Sequence, residues 1–239
     1  NASSGEYIQY LDSDDLLSSE KIKSQMQLMV GSQINTIAHC QWGRFVDDIN
    51  KTFWKVQEIN KDYERPLNWL VDSWSGKGMG TIHSWLIPRQ IIQNIEPWNE
   101  ELKINQDGEF FSRVLLKSSA IKFSEEAKVY YRSGNPSSIS QNNSRDKGKV
   151  SSLLFSYQLY QKNIMSYSDS TEIRMALGNN YLNFIYQFND LFPELSAKAK
   201  QNFKELGFKK MWPVGGGNFK IIAGLFGFST ALRLKALKG

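Results

Sequence analysis

Apolar and polar positions follow two different patterns along the chain, and the pattern changes near residue 140. Before that point, short apolar runs typical of strands alternate with stretches of helical period. After it, the periodic stretches repeat apolar residues at helical spacing only, over residues 150–165, 171–188 and 195–206. The hydrophobic pattern therefore predicts a mixed α/β first part and an all-helical second part.

Strands and helices alternate in the predicted first part. The strands cover residues 6–11, 34–42, 81–87 and 120–131. Ser18 or Ser19 can cap a helix that runs to about residue 30, and we expect Ile22, Met26 and Met29 on its apolar face. Further helices are predicted to begin at residues 66, 88 and 107, the last of them extending to residue 117.

A polar, turn-rich segment, SGNPSSISQNNSRDKGK at residues 133–149, separates the two parts. Clusters of serine, asparagine, glycine and proline between periodic stretches are typical of connecting segments. We therefore predict one domain over residues 1–140 and a helical C-terminal extension over residues 141–239.

A second glycine-rich stretch, SGKGMG at residues 75–80, is interpreted as a turn. It lacks the Gly-Lys-Ser/Thr ending of a phosphate-binding loop, and no clear strand leads into it.

The composition is that of an ordinary globular protein, with 41% apolar and 22% charged residues. Cys40 is the single cysteine, so no intrachain disulfide is possible, and a chain of 239 residues does not require one. A cysteine-poor chain favours a reducing, cytoplasmic location. The sequence has no Cys/His cluster at zinc-ligand spacing and no run of 18 apolar residues.

The formal net charge is +5, and the excess lies at the C-terminal end. From residue 198 onward a single acidic residue, Glu205, stands against nine basic ones: Lys198, Lys200, Lys204, Lys209, Lys210, Lys220, Arg233, Lys235 and Lys238. A basic end favours anionic partners such as a membrane surface, a nucleic acid or a phosphorylated substrate. The tail at residues 218–239 fits either an amphipathic helix on an anionic membrane or a terminal helix packed on the extension.

An acidic turn follows the first predicted strand in YIQYLDSDDL, residues 7–16. Asp12 and Asp14 could both face a hard cation, and Mg²⁺ typically takes one or two carboxylates together with substrate phosphates. The alternative is that the aspartates cap the following helix or belong to a plain turn. An Asp-x-Asp after a strand also serves two chemistries, phosphoryl transfer through an aspartyl phosphate and sugar transfer from a nucleotide-sugar. The turn alone does not choose between them.

Three segments taken together resemble the family 2 glycosyltransferases of the GT-A fold. They are GEYIQYLDSDDLLSSEKIKSQ, PWNEELKINQDGEFFSRVL and VYYRSGNPSSIS, which begin at residues 5, 97 and 129. The resemblance covers roughly residues 1–140 and depends on their order and spacing. It implies a partial GT-A domain that moves a sugar from a nucleotide-sugar donor to a hydroxyl of a saccharide or lipid-linked acceptor, as in bacterial cell-envelope polysaccharide biosynthesis.

The resemblance also implies roles for the acidic residues. Asp14 would hold a divalent cation, Mg²⁺ or Mn²⁺, with Asp12 at the ribose or the metal, and Asp15 belongs to the same turn. Asp107 would be the catalytic base that deprotonates the acceptor hydroxyl in an inverting displacement. The alternative for Asp107 is helix capping, since aspartate is common near the first turn of a helix. Gln106 stands where the family usually has Glu. This departure leaves the base in place and bears on its orientation.

Basic and aromatic residues near these motifs have two interpretations each. Arg113 matches a family arginine and could bind a phosphate, or it could pair with Glu109 one helical turn back. Arg132 could meet the diphosphate or lie on the surface. His83 and Trp85 could face the acceptor or belong to the core or the rim.

Family members carry most of their nucleotide-binding region before the position of Asn1. We therefore expect the chain to lack that part and to be poorly folded or inactive when expressed alone. The processive QxxRW signature is absent, so a single-addition transferase is expected, cytoplasmic or peripheral on the inner face of the membrane. We expect no nucleic-acid partner. The alternatives are an inactive fragment that acts only as a binding module and, less well matched, an aspartate-dependent phosphotransferase.

Overall fold

Two units make up the computed structural model, which describes residues 3–134 and 145–237. The first, here called the α/β unit, comprises residues 1–99 and 107–141; the second, the helical unit, comprises residues 100–106 and 142–239. The predicted boundary between residues 140 and 141 lies outside the described residues. The α/β class and the helical extension predicted from the hydrophobic pattern are confirmed.

A long parallel strand pair forms the centre of the α/β unit. Six strands are described in this unit: β1 Tyr7–Ile8, β2 Leu16–Leu17, β3 Thr36–Phe45, β4 Phe53–Trp54, β5 Ile87–Pro88 and β6 Ala120–Arg132. β3 and β6 run parallel, β2 is antiparallel to β6, and β4 is antiparallel to β3, giving the order β2-β6-β3-β4. The pairing of β3 with β6 is interrupted once. Cys40 pairs with Ser124, but Gln41 pairs with Lys128.

Four α-helices accompany these strands, and three of them begin within one residue of the starts predicted at Pro66, Pro88 and Asp107. They are α1 Lys21–Met29, α2 Pro66–Asp72, α3 Arg89–Gln93 and α4 Gln106–Lys117. α1 packs against β3 and β6. Proline at the first helical position of α2 costs nothing, because that backbone N–H has no intrahelical partner in any case.

The predicted apolar face of α1 is correct for two of its three residues. Met29 is buried, and the partly buried Met26 packs against the same cluster as Met29, whereas Ile22 is 40% exposed. Lys21, Ser24 and Gln25 are also buried. Lys21 Nζ donates to the Trp85 carbonyl at 3.1 Å and Gln25 Nε2 to the Ser84 carbonyl at 3.0 Å, whereas Gln25 Oε1 has no partner among the described residues. Tertiary hydrogen bonds thus place polar side chains in the interior where the apolar pattern predicts Ile22.

Residues 81–87 form a turn and a very short strand, not the single strand expected. A 3₁₀ turn over Ile82–Ser84 is closed by the Ser84 hydroxyl, which donates to the Thr81 carbonyl at 2.6 Å. β5 then pairs antiparallel with β1 for two residues. β1 spans Tyr7–Ile8 instead of residues 6–11, and it is half-buried. It stops after Ile8 because the next residue of the partner strand, Leu86, exchanges its backbone hydrogen bonds with Ala38.

The helical unit contains five described α-helices. They are α5 Lys147–Met165, α6 Thr171–Phe188, α7 Pro193–Glu205, α8 Gly217–Phe226 and α9 Phe228–Ala236. The first three match the predicted ranges to within three residues. Asp146 and Ser170 cap α5 and α6, because their side chains accept hydrogen bonds from Lys149 N and Ile173 N.

The basic tail is two helices and not one. Gly227 adopts φ of 85°, which an α-helix excludes, and the chain turns there between α8 and α9. Ile221, Leu225 and Phe226 on α8 remain exposed. Within residues 3–134 and 145–237, no helix combines the length and apolarity needed to span a membrane.

Candidate active site

A cleft of about 310 Å³ lies at the end of the β3–β6 pair in the α/β unit. It brings together three aspartates from distant parts of the sequence, Asp12, Asp15 and Asp107. The rest of its wall comes from the strand ends and from one loop: Trp42, Arg44, Met79, Gly80, Thr81, Ile82, His83, Tyr131 and Ser133. The strand ends are thus where the acidic residues meet, as expected for a ligand site in an α/β sheet.

An aromatic cluster holds the two acidic segments side by side. Tyr10, two residues before Asp12, makes edge-on contacts with Trp98 and Phe110 at ring-centroid distances of 5.6 and 5.7 Å. Trp98 stacks on Phe110 at 4.2 Å with the rings nearly parallel. Phe110 lies three residues after Asp107 in α4, so this packing joins the acidic turn to the first turn of that helix.

Asp12 lies in an unfavourable electrostatic environment for a carboxylate. Partial burial raises its pKa, and the negative charges of Asp14 and Asp107 raise it further. In the part of the chain that the structure describes, the carboxylates of Asp12 and Asp14 accept no hydrogen bond and form no ion pair. Asp12 lines the cleft, whereas Asp14 does not. Carboxylates without a protein partner suit a hard divalent cation that completes its coordination with phosphate and water oxygens. No group of three or more potential metal ligands occurs among the described residues.

Asp15 has a different environment, buried beneath the turn. Its Oδ1 accepts a hydrogen bond from the Arg132 backbone N–H at 2.8 Å, and its Oδ2 lies 3.1 Å from Nδ1 of the buried His83. Burial raises the Asp15 pKa to about 6, and burial with the nearby Lys21 charge lowers the His83 pKa to about 4. The imidazole is therefore neutral at pH 7. Asp15 Oδ2 and His83 Nδ1 lie close together, but neither atom has a hydrogen-bond partner among the described residues.

Asp107 is the second residue of α4 and is exposed to the cleft. Its Oδ1 accepts a hydrogen bond from the Gly108 backbone N–H at 2.8 Å. The unsatisfied N–H groups and the dipole of a helix N-terminus stabilise a carboxylate at this position. Gln106, the first residue of the helix, does not line the cleft.

Arg113 lies away from the cleft wall and braces the loop before α4. Its guanidinium makes a two-pronged contact with the Glu109 carboxylate, with both N–O distances 2.8 Å. It also donates to the carbonyl of Pro97 at 3.0 Å and to that of Glu96. Of the two environments considered for this arginine, the structure shows the pairing with Glu109.

Arg132 also points away from the cleft. Its side chain donates to the carbonyls of Asp14 and Val46, at 3.0 and 3.1 Å, and lies 4.4 Å from the centre of the Phe45 ring. Successive side chains of a strand point to opposite faces, so the cleft receives the neighbours Tyr131 and Ser133 instead. The arginine connects the acidic turn to the end of β6 through backbone groups.

Several cleft residues were not identified from the sequence. Trp42 and Arg44 occupy alternate positions near the end of β3, and the Arg44 guanidinium lies between Trp42 and Tyr131, 5.7 and 5.5 Å from their ring centres. The sequence offered one signal for them: side chains two residues apart in a strand share a face, so Trp42 and Arg44 could be expected together at the end of the predicted strand. His83 lines the cleft, whereas Trp85 is 2% exposed and belongs to the core.

The comparisons with known proteins bear on the fold. No family model matches the chain, and no curated protein matches it in sequence. Among solved structures, the chain is similar to S. aureus TarS 1-349 in complex with UDP-GlcNAc, with a TM-score of 0.59 and 15% sequence identity. The match covers 85% of this chain and 58% of the TarS chain. The chain thus spans little more than half of the TarS chain and shares the α/β fold of that glycosyltransferase.

Proposed function

We propose that the protein is a glycosyltransferase that moves a sugar from a nucleotide-sugar donor to a hydroxyl of a saccharide or lipid-linked acceptor. The observation that carries this proposal is that Asp12 and Asp107, far apart in the sequence, line one cleft at the strand ends. The similarity of the fold to TarS, whose structure holds UDP-GlcNAc, supports it.

Asp107 is the proposed catalytic base. A sugar hydroxyl is a poor nucleophile, so a carboxylate that accepts its proton lowers the barrier to attack. The hydroxyl oxygen forms a bond to C1 of the donor sugar, the bond from C1 to the phosphate oxygen breaks, and the nucleoside diphosphate leaves with the electron pair. Attack from the side of Asp107, opposite the leaving group, inverts the configuration at C1.

Asp14 and Asp12 are the proposed holders of a divalent cation, Mg²⁺ or Mn²⁺. Their carboxylates have no protein partner in the described residues, and their mutual repulsion favours a nearby positive charge. Such a cation supplies charge neutralisation for the diphosphate leaving group when it is bound. Asp15 and Arg132 hold the turn in place through its backbone, and Asp15 is not assigned to the cation.

Release of UDP from UDP-GlcNAc, with Mn²⁺ or with EDTA, tests the proposal. We expect Asp107→Asn to leave donor binding within about twofold of wild type and to reduce turnover by about 10²–10⁴-fold. Asp14→Ala should abolish both turnover and its dependence on Mn²⁺. Asp47→Asn, at an exposed aspartate that does not line the cleft, is the matched control and should behave as wild type.

Two results would contradict the proposal. If Asp107→Asn turns over donor at the wild-type rate, the base assignment is wrong. If the protein binds nucleotide-sugars but transfers no sugar to any acceptor or to water, it is a binding module. A panel of donors with other nucleotides and sugars guards against the wrong choice of UDP-GlcNAc.

A further inference from the structure

A second cleft, of about 440 Å³, opens beside the first in the α/β unit. It shares Trp42, Arg44 and Met79 with the first cleft, so the two have a common wall. Its other side is formed by the segment around β4, with Phe53 and Lys55, and by the glycine-rich loop after α2. The two clefts are therefore adjacent within the unit.

The second cleft is cationic. Its ionisable lining residues are Arg44 and Lys55, and among the described residues that line it none carries a carboxylate. Neither side chain forms an ion pair within the described part of the chain. Other lysines of this unit are neutralised, since Lys77 contacts Asp72 at 2.6 Å and Lys122 contacts Asp62 at 2.7 Å. The positive charge in the cleft is thus left available for a ligand.

Aromatic surface accompanies this charge. Phe53 is 69% exposed although it belongs to a strand. The Trp42 indole is held in one orientation because its N–H donates to the Met79 carbonyl at 2.8 Å. Aromatic rings beside fixed cations are suited to a ligand that combines the apolar faces of sugar rings with negative charge.

The loop that closes the cleft is built rigidly. The Gln57 side chain pairs with the Met79 backbone as a strand would, donating to its carbonyl at 3.1 Å and accepting from its N–H at 2.9 Å. Gly78 has φ of 153°, and a Cβ there would lie 2.6 Å from the Ile59 side chain. The SGKGMG segment is therefore a shaped wall that needs glycine, and not only a flexible turn.

We propose that the acceptor is an anionic saccharide, held by Arg44 and Lys55 in the second cleft with its reacting hydroxyl at Asp107. This inference rests on the proposed function and names the chemical class of its acceptor, a saccharide that carries phosphate or carboxylate groups. The donor diphosphate is a poorer occupant of this cleft. Its charge would be matched by the cation proposed at the acidic turn, whereas a cleft without carboxylates fits an anion that brings no metal ion.

Binding of three oligosaccharides of equal length, measured by titration calorimetry, tests the inference. The probes are maltotetraose, maltotetraose 6-phosphate and tetragalacturonic acid, which separate a neutral chain from the two sources of negative charge. We expect at least one anionic probe to bind about tenfold more tightly than maltotetraose, and its affinity to fall as NaCl rises from about 50 to about 500 mM.

Variants then locate the binding. Lys55→Gln and Arg44→Gln should each weaken the anionic probe by about fivefold or more and leave maltotetraose within about twofold. Lys51→Gln removes the same charge four residues from Lys55 at an exposed position outside the cleft lining, and it should have no effect. Unfolding curves of the variants ensure that the comparison is made on folded protein.

The outcomes separate this inference from the function on which it rests. Equal affinity for all three probes, or a loss of UDP-GlcNAc binding instead of anionic-probe binding in Lys55→Gln, would overturn the inference while sugar transfer still stands. Tight, Lys55-dependent binding of an anionic probe, to which no sugar is ever transferred, would keep the anionic-saccharide site and contradict the transferase.

Discussion

The two units of this protein bury their helices in different ways. In the helical unit, α6 buries an almost wholly apolar face that includes Leu177, Leu182 and Phe184. In the α/β unit, α1 buries Lys21 and Gln25 against the loop that forms one wall of the first cleft. α6 is stabilised chiefly by the removal of apolar surface from water, whereas α1 depends on individual hydrogen bonds to its buried polar side chains.

Buried polar side chains in the α/β unit lie close to the candidate site. Buried polar groups cost stability unless they are satisfied, so a chain retains them where they give a defined geometry. In the α/β unit they meet at the loop of residues 82–86, next to His83 and its contact with Asp15. The helical unit has no comparable buried lysine among its described residues. The comparison predicts that mutations in the two units will change different properties.

The largest effect on stability is expected in the helical unit. Phe184 is 1% exposed in α6 and packs on Phe188 at a ring distance of 4.9 Å. Phe184→Ala should lower the free energy of unfolding of this unit by about 3–5 kcal/mol, because it removes buried apolar surface and leaves a cavity. Urea unfolding followed by circular dichroism measures the change.

Met175→Ala is the control in the same helix. Met175 is 45% exposed, so its truncation should change stability by less than about 0.5 kcal/mol. Donor affinity of the folded Phe184→Ala protein should equal that of wild type. A large loss of donor affinity in that variant would show that the core of the helical unit also affects the candidate site in the α/β unit.

A pH-dependent effect is expected in the α/β unit. Burial lowers the pKa of Lys21 to about 8, below the value of about 10.4 for an unfolded lysine. Between these pH values the unfolded state binds the proton that the folded state has lost, so stability rises with pH from about 8 to about 10.4 and levels off below about 8. Lys21→Met should remove this rise, which is on the order of 3 kcal/mol.

Urea unfolding at a series of pH values from neutral to about 10.5 measures this contribution. Lys23→Met is the control, since the Lys23 side chain is 69% exposed in the same helix, and its curve should run parallel to that of wild type. A Lys21→Met curve with the wild-type slope would show that the buried ammonium does not titrate in this range.

The smallest effect on stability is expected on the exposed face of α8. Leu225 is 72% exposed beside Ile221 and Phe226, and we propose that this face binds an anionic membrane surface with the help of the basic residues of the tail. Leu225→Asp should change unfolding by less than about 0.5 kcal/mol and strongly reduce flotation with phosphatidylglycerol vesicles.

Ala197→Asp adds the same charge at an exposed position of α7 and should float as wild type does. If neither wild type nor Ala197→Asp floats with anionic vesicles, the membrane proposal fails. In that case the exposed face of α8 has another role. The two units then differ only in the polarity of the helix faces that they bury.

Sequence reasoning recovered most of the helices and the long strands, and it failed where tertiary hydrogen bonds decide the structure. The helical period predicts α4 to α7 because those helices bury apolar residues. In α1 the same period predicts Met26 and Met29 correctly but misses the buried Lys21. The burial of Lys21 depends on the Trp85 carbonyl, 64 residues away, which no local pattern contains. In the candidate site, the acidic residues were predicted because they belong to a recognisable motif. Trp42 and Arg44 belong to no motif and line the cleft because of their positions in β3.

The interruption in the pairing of β3 with β6 determines which chemistry the cleft presents. In a parallel pair, residues in register share a face: Cys40 shares one with Ser124, and Arg44 shares one with Tyr131. The three unpaired residues 125–127 are an odd number, so they exchange the two faces of β6 and place Tyr131 beside Arg44. A deletion there that shifted the register of the strand end by one residue would place the Arg132 side chain, instead of Tyr131, beside Arg44. The side chains that the cleft receives from β6 therefore depend on the length of a segment, residues 125–127, that does not line the cleft.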